Sequence, residues 1–374
     1  MEHSRRSFLR FASAAGVLLS SSSAAHALRT QGELPQGQPI LLNRNENAYG
    51  TSPSIDAAMR EALTFSNRFP DVTYDAAVRE IASFHGVRSN EVLLGCGSTD
   101  VMRMCAAAFL RPDSRLVTAD PTFDVLQTYS RQIGCHVVRV PLTHRHEHDL
   151  DAMLAHATES THLIYICNPN NPTGTITRRA NLEAFLAKVP PHIHVLIDEA
   201  YHHYAGISDE YASWIEKVSM YPRLIVTRTF SKVYGLAGMR VGYAVASEPT
   251  IRQLMRYQLW EGMNMAGSLA CVAALKDKSF VERAVKRNRD DRQEFFNQAQ
   301  TRMLKPLDSH TNFYFMDVAR PAREIIAHFQ KHNIMIGPEY PSMSTFIRVT
   351  FGLPKEMLAF WRVWDLLPRG KMSM

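Results

Sequence analysis

The alternation of short apolar runs with helical runs from residue 91 onward most constrains the fold of this chain. Each apolar run is long enough for one strand, and the segments between the runs carry the spacing of amphipathic helices. The predicted strands cover residues 92–94, 115–119, 136–140, 162–167, 193–197, 224–227 and 242–246. Strands that alternate with helices favour an α/β fold with a mostly parallel sheet flanked by helices. Ligands of such sheets bind at the carboxyl ends of the strands.

The turn after the predicted strand at 224–227 concentrates reactive side chains. It carries the hydroxyls of Thr229 and Ser231, the amine of Lys232 and, eight residues past this lysine, Arg240. A partly unprotonated lysine amine forms a Schiff base with an aldehyde, and hydroxyls with an arginine can hold a phosphate dianion. Together these groups indicate pyridoxal phosphate as the cofactor. A solvated lysine in a glycine-rich loop is the alternative for this turn taken alone.

Polar residues after other predicted strands fit the same cofactor. Asp198 ends a buried strand, where a carboxylate needs a cation such as a protonated pyridine nitrogen. Tyr201 is placed to donate to the phenolic oxygen of the ring, and Asn171 lies in a turn that can point its amide into a cleft. Ser98 and Thr99 open a predicted helix and form a seat for phosphate. Helix N-caps are the alternative for Asp198 and for Ser98.

The first residues have the pattern of an export signal. Arg5 and Arg6 form a twin-arginine pair ahead of a short apolar stretch and a small-x-small cleavage site that ends at Ala27. We expect residues 1–27 to be removed after export of the folded protein to the periplasm, and residues 28–45 to form an N-terminal arm. The apolar stretch is too short to span a bilayer, so we expect no stable membrane insertion after cleavage.

Length and charge narrow the function classes further. A chain of 374 residues suits two domains, and a formal net charge of +6 without any long basic run argues against nucleic-acid binding. The histidines at 144–148 and 202–203 are predicted to belong to a solvated loop and a site rim, so no metal site is expected.

A series of ordered motifs resembles those of fold-type I pyridoxal-phosphate aminotransferases of class I/II, and within that group the histidinol-phosphate aminotransferase branch. The motifs run in family order from residue 43 to residue 352, nearly the whole chain after the predicted signal. They are Asn43-x-Asn-Glu-Asn-x-Tyr-Gly50, Asn168-Pro-Asn-Asn-Pro-Thr-Gly174, Asp198-Glu-Ala-Tyr201, Arg228-Thr-x-Ser-Lys232, Gly235-Leu-Ala-Gly-x-Arg240 and Phe346-Ile-Arg-Val-Thr-x-Gly352.

The resemblance implies an enzyme that moves an amino group between an amino acid and a 2-oxo acid. It also implies a large cofactor-binding domain over residues 46–267, a smaller C-terminal α/β domain over residues 268–374, and a homodimer. Lys232 corresponds to the Schiff-base lysine and proton shuttle, and Asp198 to the partner of the ring nitrogen. The other implied cofactor contacts are Ser98, Thr99, Phe123, Asn171, Tyr201, Thr229, Ser231 and Arg240. Arg348, with Asn171, corresponds to the site of the substrate carboxylate.

Two departures from the family bear on the dimer and the substrate. Phe69 stands where the family has a tyrosine that reaches the neighbouring subunit's phosphate, which leaves Tyr74 as the candidate replacement. Histidinol-phosphate enzymes carry a second arginine ahead of the position of Arg348, whereas residues 334–343 here hold no basic residue and include Glu339. An acid repels a phosphate, so we expect a substrate other than histidinol phosphate, with Glu339 in the substrate site. An eliminase, racemase or cyclase on the same scaffold is the alternative activity.

Overall fold

The computed structural model describes residues 38–259 and 262–368. The predicted signal at 1–27 and the arm as far as residue 37 lie outside the described residues. From Leu41 onward the described chain belongs to one compact unit. The predicted boundary between a large and a small domain after residue 267 stays a prediction.

Strands and helices alternate along most of the chain. The strands are β1 (Ile40–Leu42), β2 (Val92–Cys96), β3 (Arg115–Asp120), β4 (His136–Pro141), β5 (Thr161–Cys167), β6 (His194–Asp198), β7 (Leu224–Thr229), β8 (Val241–Ala246), β9 (Lys305–Pro306), β10 (Phe313–Asp317), β11 (Ile334–Ile336) and β12 (Phe346–Thr350). The helices are α1 (Pro53–Leu63), α2 (Asp71–His85), α3 (Ser98–Phe109), α4 (Val125–Ile133), α5 (Leu150–Ala155), α6 (Arg179–Leu186), α7 (His202–Ala205), α8 (Glu248–Met255), α9 (Met265–Lys276), α10 (Lys278–Thr301), α11 (Ala322–Lys331) and α12 (Pro354–Asp365).

The main sheet has seven strands in the order β2-β8-β7-β6-β5-β3-β4. The strands from β7 to β4 run parallel, whereas β8 is antiparallel to both of its neighbours, β2 and β7. This mixed but mostly parallel sheet, flanked by helices, confirms the predicted α/β fold. The register places Asp198 level with Cys167 on β5 and with Thr227 on β7, so the polar residues after these strands lie at one edge.

Both faces of the main sheet are buried, because successive side chains of a strand point to opposite faces. On β6, Val195 and Ile197 belong to one apolar cluster, which also contains Ile55 and Ile81 of α1 and α2. Leu196 belongs to a second cluster with residues of α3 such as Met102. Helices on both faces therefore hold the carboxyl ends of the strands in place.

A smaller antiparallel sheet in the C-terminal part has the order β12-β10-β9. Arg348 on β12 pairs with Phe315 on β10, in the middle of this short ladder. The sheet thereby carries the predicted carboxylate-binding arginine on a paired strand rather than on a free loop.

Capping residues explain where the helices begin and end. The spacing of apolar residues predicted these ends less accurately. The Ser52 hydroxyl accepts a hydrogen bond from the Ile55 backbone, and proline follows Ser52 as the first residue of α1. The helix predicted over residues 75–84 begins earlier, at Asp71, and ends at His85, ahead of Gly86, which has a positive φ. The helix predicted over residues 101–110 begins at Ser98 and ends at Phe109.

Candidate active site

A cavity of about 1050 Å³ opens where the strands of the main sheet end and the smaller sheet approaches. Every side chain that the sequence assigned to the site lines this cavity. They are Ser98, Thr99, Phe123, Asn171, Asp198, Tyr201, Thr229, Ser231, Lys232, Arg240, Glu339 and Arg348.

Lys232 lies just beyond the end of β7, and its amine faces the cavity. The Nζ atom donates to the backbone carbonyl oxygens of Asn45, at 3.0 Å, and Arg44, at 3.3 Å. Burial, and then the nearby guanidinium groups of Arg348 and Arg240, lower the pKa of the Lys232 amine to about 8. A substantial fraction of this amine is therefore unprotonated near neutral pH, as a nucleophile requires.

Asp198 is a buried carboxylate at the end of β6, with 2% of its surface exposed. Tyr165 donates to one oxygen at 3.2 Å, and Thr227 and the Ala200 backbone donate to the other at 3.3 and 3.1 Å. Burial raises the pKa of Asp198 to about 6, and no ion pair to it forms among the described residues. The N-cap alternative for Asp198 is wrong, because α7 begins at His202 and has Tyr201 at its N-cap position.

Tyr201 and Asn171 lie in the wall of the same cavity. The Tyr201 hydroxyl accepts a hydrogen bond from the Asn45 side chain at 2.8 Å, and the Lys232 amine lies 5.5 Å from the centre of the Tyr201 ring. Burial raises the pKa of Tyr201, so its hydroxyl stays protonated and can donate to a ligand. The Asn171 side-chain oxygen accepts from the guanidinium of Arg348.

The predicted phosphate seat gathers around Arg240, which directly precedes β8. The Arg240 guanidinium donates to Thr99 at 3.3 Å and to Ser231 at 3.4 Å, and Thr229 donates to Ser231 at 2.9 Å. Ser98 is not a cap, because Gly97 holds the N-cap position of α3.

The seat around Arg240 also has the shape and the charge that a phosphate needs. A side chain at Gly97 would collide with the Arg240 guanidinium, so the bare glycine makes room for it. No ion pair to Arg240 forms within residues 38–259 and 262–368. An uncompensated guanidinium among hydroxyls at a helix N-terminus fits a phosphate group.

Arg348 is the second guanidinium of the cavity and is nearly fully buried, with 6% of its surface exposed. It donates to Asn171 and, at 2.6 Å, to the backbone oxygen of Asn43. Its guanidinium carbon lies 5.5 Å from the ring centre of Phe313 and 5.9 Å from that of Tyr340. The described chain offers it no carboxylate partner, and its Nε has no hydrogen-bond partner there. A buried cation of this kind is costly until an anion pairs with it.

Two predicted contacts keep more than one interpretation. Phe123 lines the cavity and also packs against the apolar cluster around α3, so it can serve both a stacking and a core role. Glu339 lines the cavity but is exposed to solvent.

The Tyr74 hydroxyl, the candidate replacement for Phe69, accepts a hydrogen bond from Gln258 of the same chain at 2.7 Å. Phe69 itself is 73% exposed.

The loop at 43–46 is the part of the site that sequence reasoning missed. Its backbone oxygens hold Lys232 and Arg348, and the Asn45 side chain holds Tyr201. Asn45 has a positive φ of 55°, a conformation that asparagine tolerates better than most residues. The cluster of asparagines in an otherwise turn-prone stretch was the available signal, but nothing local indicates what it contacts.

Comparison with known proteins agrees with this geometry. The sequence profile of the aminotransferase class I and II family matches residues 38–360, and the chain belongs to this family. It is a pyridoxal-phosphate-dependent aminotransferase.

Individual relatives give the same placement. The histidinol-phosphate aminotransferase of Moorella thermoacetica is 36% identical over 334 residues, which cover 89% of this chain and 86% of that protein. The histidinol-phosphate aminotransferase of Bacillus subtilis is also 36% identical, over 85% of this chain and 88% of that protein. The crystal structure of the Sinorhizobium meliloti histidinol-phosphate aminotransferase with pyridoxal-5'-phosphate has a TM-score of 0.83 and 25% identity, and covers 91% of this chain and 94% of that one.

The described residues show neither a membrane-spanning helix nor a metal-binding cluster. In the part of the chain that the structure describes, no helix is both long and apolar enough to cross a bilayer. The same residues hold no cluster of three or more histidine, cysteine, aspartate or glutamate side chains arranged for a metal ion.

Proposed function

We propose that this aminotransferase moves the amino group between an α-amino acid and a 2-oxo acid, and that histidinol phosphate is not its substrate. The observation that carries the proposal is the buried guanidinium of Arg348, which has no carboxylate partner among the described residues. Its free Nε and its two remaining terminal hydrogens match the fork geometry of a substrate carboxylate.

The charges around Arg348 support a substrate with one anionic group. The residues that line the cavity from Ile336 to Ser342 include Glu339 and Tyr340 but no lysine or arginine. Two further arginines line the wall: Arg139 is already paired with Asp120 at 2.9 Å, and Arg44 is exposed to solvent. A doubly charged phosphate there would depend on the single buried guanidinium and would meet a negative side chain. The names of the relatives favour histidinol phosphate, so the two substrate classes must be compared directly.

The residues around Lys232 supply the remaining steps. Pyridoxal phosphate, when bound, supplies an electron sink for the negative charge that develops at the substrate's Cα. Lys232 would take the proton from the substrate's Cα and carry it to the C4′ position of the cofactor, and its lowered pKa suits both directions of transfer. Asp198 keeps the ring nitrogen protonated through an ion pair, which also relieves the cost of its own burial. Asn171 and Tyr201 hold the ring oxygen.

The remaining contacts position the cofactor. Phe123 covers one face of the ring. The phosphate is held by Ser98, Thr99, Thr229, Ser231 and Arg240. Because most of these side chains end strands or begin a helix, the main sheet would fix the position of a bound ring relative to Lys232.

Parallel assays of the cofactor-loaded protein test the proposal. Neutral, aromatic and basic amino acids and histidinol phosphate are each offered with 2-oxoglutarate, and formation of the 2-oxo product is measured. We expect amino acids to be turned over only when the 2-oxo acid is present. Loss of the offered amino acid without the 2-oxo acid, followed by chiral chromatography, would identify an eliminase, racemase or cyclase instead. Histidinol phosphate turned over as efficiently as the best amino acid would overturn the substrate proposal.

Two substitutions sharpen the test. Arg348→Lys keeps the charge but loses the fork, so we expect the KM for amino acids to rise about 10- to 100-fold. Arg252→Lys, in an exposed ion pair on α8, is the matched control and should leave KM unchanged. Glu339→Gln should weaken basic substrates more than neutral ones, and an equal effect on both would remove Glu339 from the substrate site.

We also propose a homodimer and export to the periplasm. The dimer is supported by exposed apolar side chains on and after α1, where Leu63, Phe65, Phe69 and Val72 are 49–79% exposed. We propose that a second copy of the chain covers these side chains. Light scattering, which measures the mass of the assembly, should give the mass of a dimer. A monomer at micromolar concentration would contradict the dimer.

The export proposal rests on the N-terminal pattern around Arg5 and Arg6.

A further inference from the structure

Gly337, the residue after β11, lies directly against Arg348. Its backbone N–H donates to the Arg348 carbonyl oxygen at 2.8 Å. A Cβ atom added at Gly337 would lie 2.9 Å from the Arg348 Cβ, 2.9 Å from its backbone oxygen and 3.2 Å from its Nε. Real Cβ atoms do not approach neighbours this closely, so one of the two residues would have to shift.

The reason for a glycine here is space rather than backbone conformation. Gly337 does not have the positive φ that favours glycine, unlike Gly97 or Gly235. Any residue could therefore adopt its backbone angles. What a side chain could not do is share the volume that Arg348 already fills. The three atoms nearest to an added Cβ at 337 all belong to Arg348, so the lack of a side chain there bears first on Arg348.

Arg348 has little freedom to move away from an intruding methyl group. Its guanidinium is held by oxygens of Asn171 and Asn43, between the rings of Phe313 and Tyr340. Its backbone is paired within the smaller sheet. A push at its Cβ and Nε would therefore turn the guanidinium away from its present direction, because the closely packed rings leave no room for a simple translation.

We propose that Gly337 is a positioning residue that sets the direction of the Arg348 guanidinium and so determines how tightly the site binds a carboxylate. The inference rests on the proposed function of Arg348. A side chain at 337 leaves the cofactor contacts around Arg240 untouched, since these belong to the main sheet. The expected defect is thus in substrate affinity, with cofactor loading unchanged.

The test is Gly337→Ala in the cofactor-loaded protein, with 3-phenylpropionate, a carboxylate without an amino group, as an unreactive probe measured by calorimetry. We expect its dissociation constant to rise about 10- to 100-fold, as for the loss of one charge-assisted hydrogen bond, with the amount of bound cofactor unchanged. In turnover, KM for the best amino acid should rise by a similar factor, with a smaller change in kcat. Gly206→Ala is the control, because its added Cβ meets only ordinary contacts at 3.5 Å.

A double variant separates positioning from general damage. In an Arg348→Gly background there is no guanidinium to misdirect, so adding Gly337→Ala should weaken carboxylate binding no further. An equal further loss would overturn the proposal. If Gly337→Ala alone does not fold, the double variant should, because the side-chain atoms that the methyl group meets are gone. Its failure to fold would show a backbone clash and would also overturn the proposal.

The binding measurement needs no turnover, so it tests the role of Gly337 independently of the proposed reaction. If carboxylate binding depends on Gly337 but the protein transaminates no amino acid, the positioning role is supported and the proposed function is refuted. Absence of probe binding by the wild-type protein would refute the positioning role, whatever the turnover assays show.

Discussion

Replacing Glu199 by glutamine should destabilise the enzyme far more than the loss of an ordinary ion pair. Glu199 follows Asp198, and its carboxylate accepts from Arg228 Nε and Nη2 at 3.0 and 2.9 Å. The Ser213 hydroxyl and the Trp214 backbone also donate to it, at 2.9 and 2.6 Å. Both charged side chains are almost completely buried. Glutamine keeps one acceptor oxygen but leaves the buried guanidinium without a counter-charge.

The expected cost follows from that burial. Breaking a buried ion pair by removing one partner costs about 3–5 kcal/mol, because the remaining charge stays desolvated. Each kcal/mol lowers the melting temperature by about 2–4 °C in chains of 150–250 residues, and by less in longer ones. At about 2.1 cal/mol/K of unfolding entropy per residue, we therefore expect Glu199→Gln to lower the melting temperature by about 4–6 °C. Since Glu199 and Arg228 join the ends of β6 and β7, cofactor retention should fall as well.

Thermal melts followed by circular dichroism at pH 7, with and without cofactor, give this measurement. Asp290→Asn is the control, because it removes the carboxylate of an exposed ion pair with Lys286 and should not shift the melt measurably. A Glu199→Gln melt within about 2 °C of the wild type would refute the argument that Arg228 depends on this carboxylate.

Four other outcomes follow from the site and the N-terminal pattern. Lys232→Ala should abolish the absorbance of covalently bound cofactor, and a band that survives dialysis would contradict the assignment. Asp198→Asn should keep the cofactor but lower turnover at least tenfold, about 1.4 kcal/mol of barrier, whereas turnover near the wild-type rate would refute the role. In the cofactor-free protein, the folded pKa of Asp198 at about 6 lies above its ordinary value of 3.8, so its contribution to stability falls as pH rises through that window. Asp198→Asn should remove this slope in melts between pH 4 and 7. Replacing Arg5 and Arg6 by lysine should retain the precursor in the cytoplasm, and undiminished periplasmic protein would contradict the twin-arginine interpretation.

Much of the site could be predicted because its chemistry follows strand ends. Asp198 and Lys232 each come after an apolar run whose length identified a strand, and parallel strands bring their ends together. The partners of these residues could not be predicted in the same way. Asn45 meets Tyr201 across 156 residues of chain, and this contact leaves no mark on local periodicity.

The same limit applies to charge and to packing. Glu199 and Arg228 stand beside predicted site residues, but only the pairing of β6 with β7 shows that they neutralise each other. The role of Gly337 depends on which side chain lies against it, and that is decided by the course of β11 and β12 rather than by composition. Sequence patterns predicted the strands and helices better than they predicted the contacts between them.

The reversed direction of β8 sets the dimensions of the phosphate seat. An antiparallel strand starts at the edge where its parallel neighbours finish, so Arg240 enters the sheet between the exits of β2 and β7. Adjacent strands are about 4.8 Å apart, so the ends of β2 and β7 lie about 10 Å apart on either side of β8. A phosphate with one layer of donors around it has roughly that width. In the proposed cofactor site, strand spacing would thus set the distance between the backbones that carry the phosphate-binding side chains.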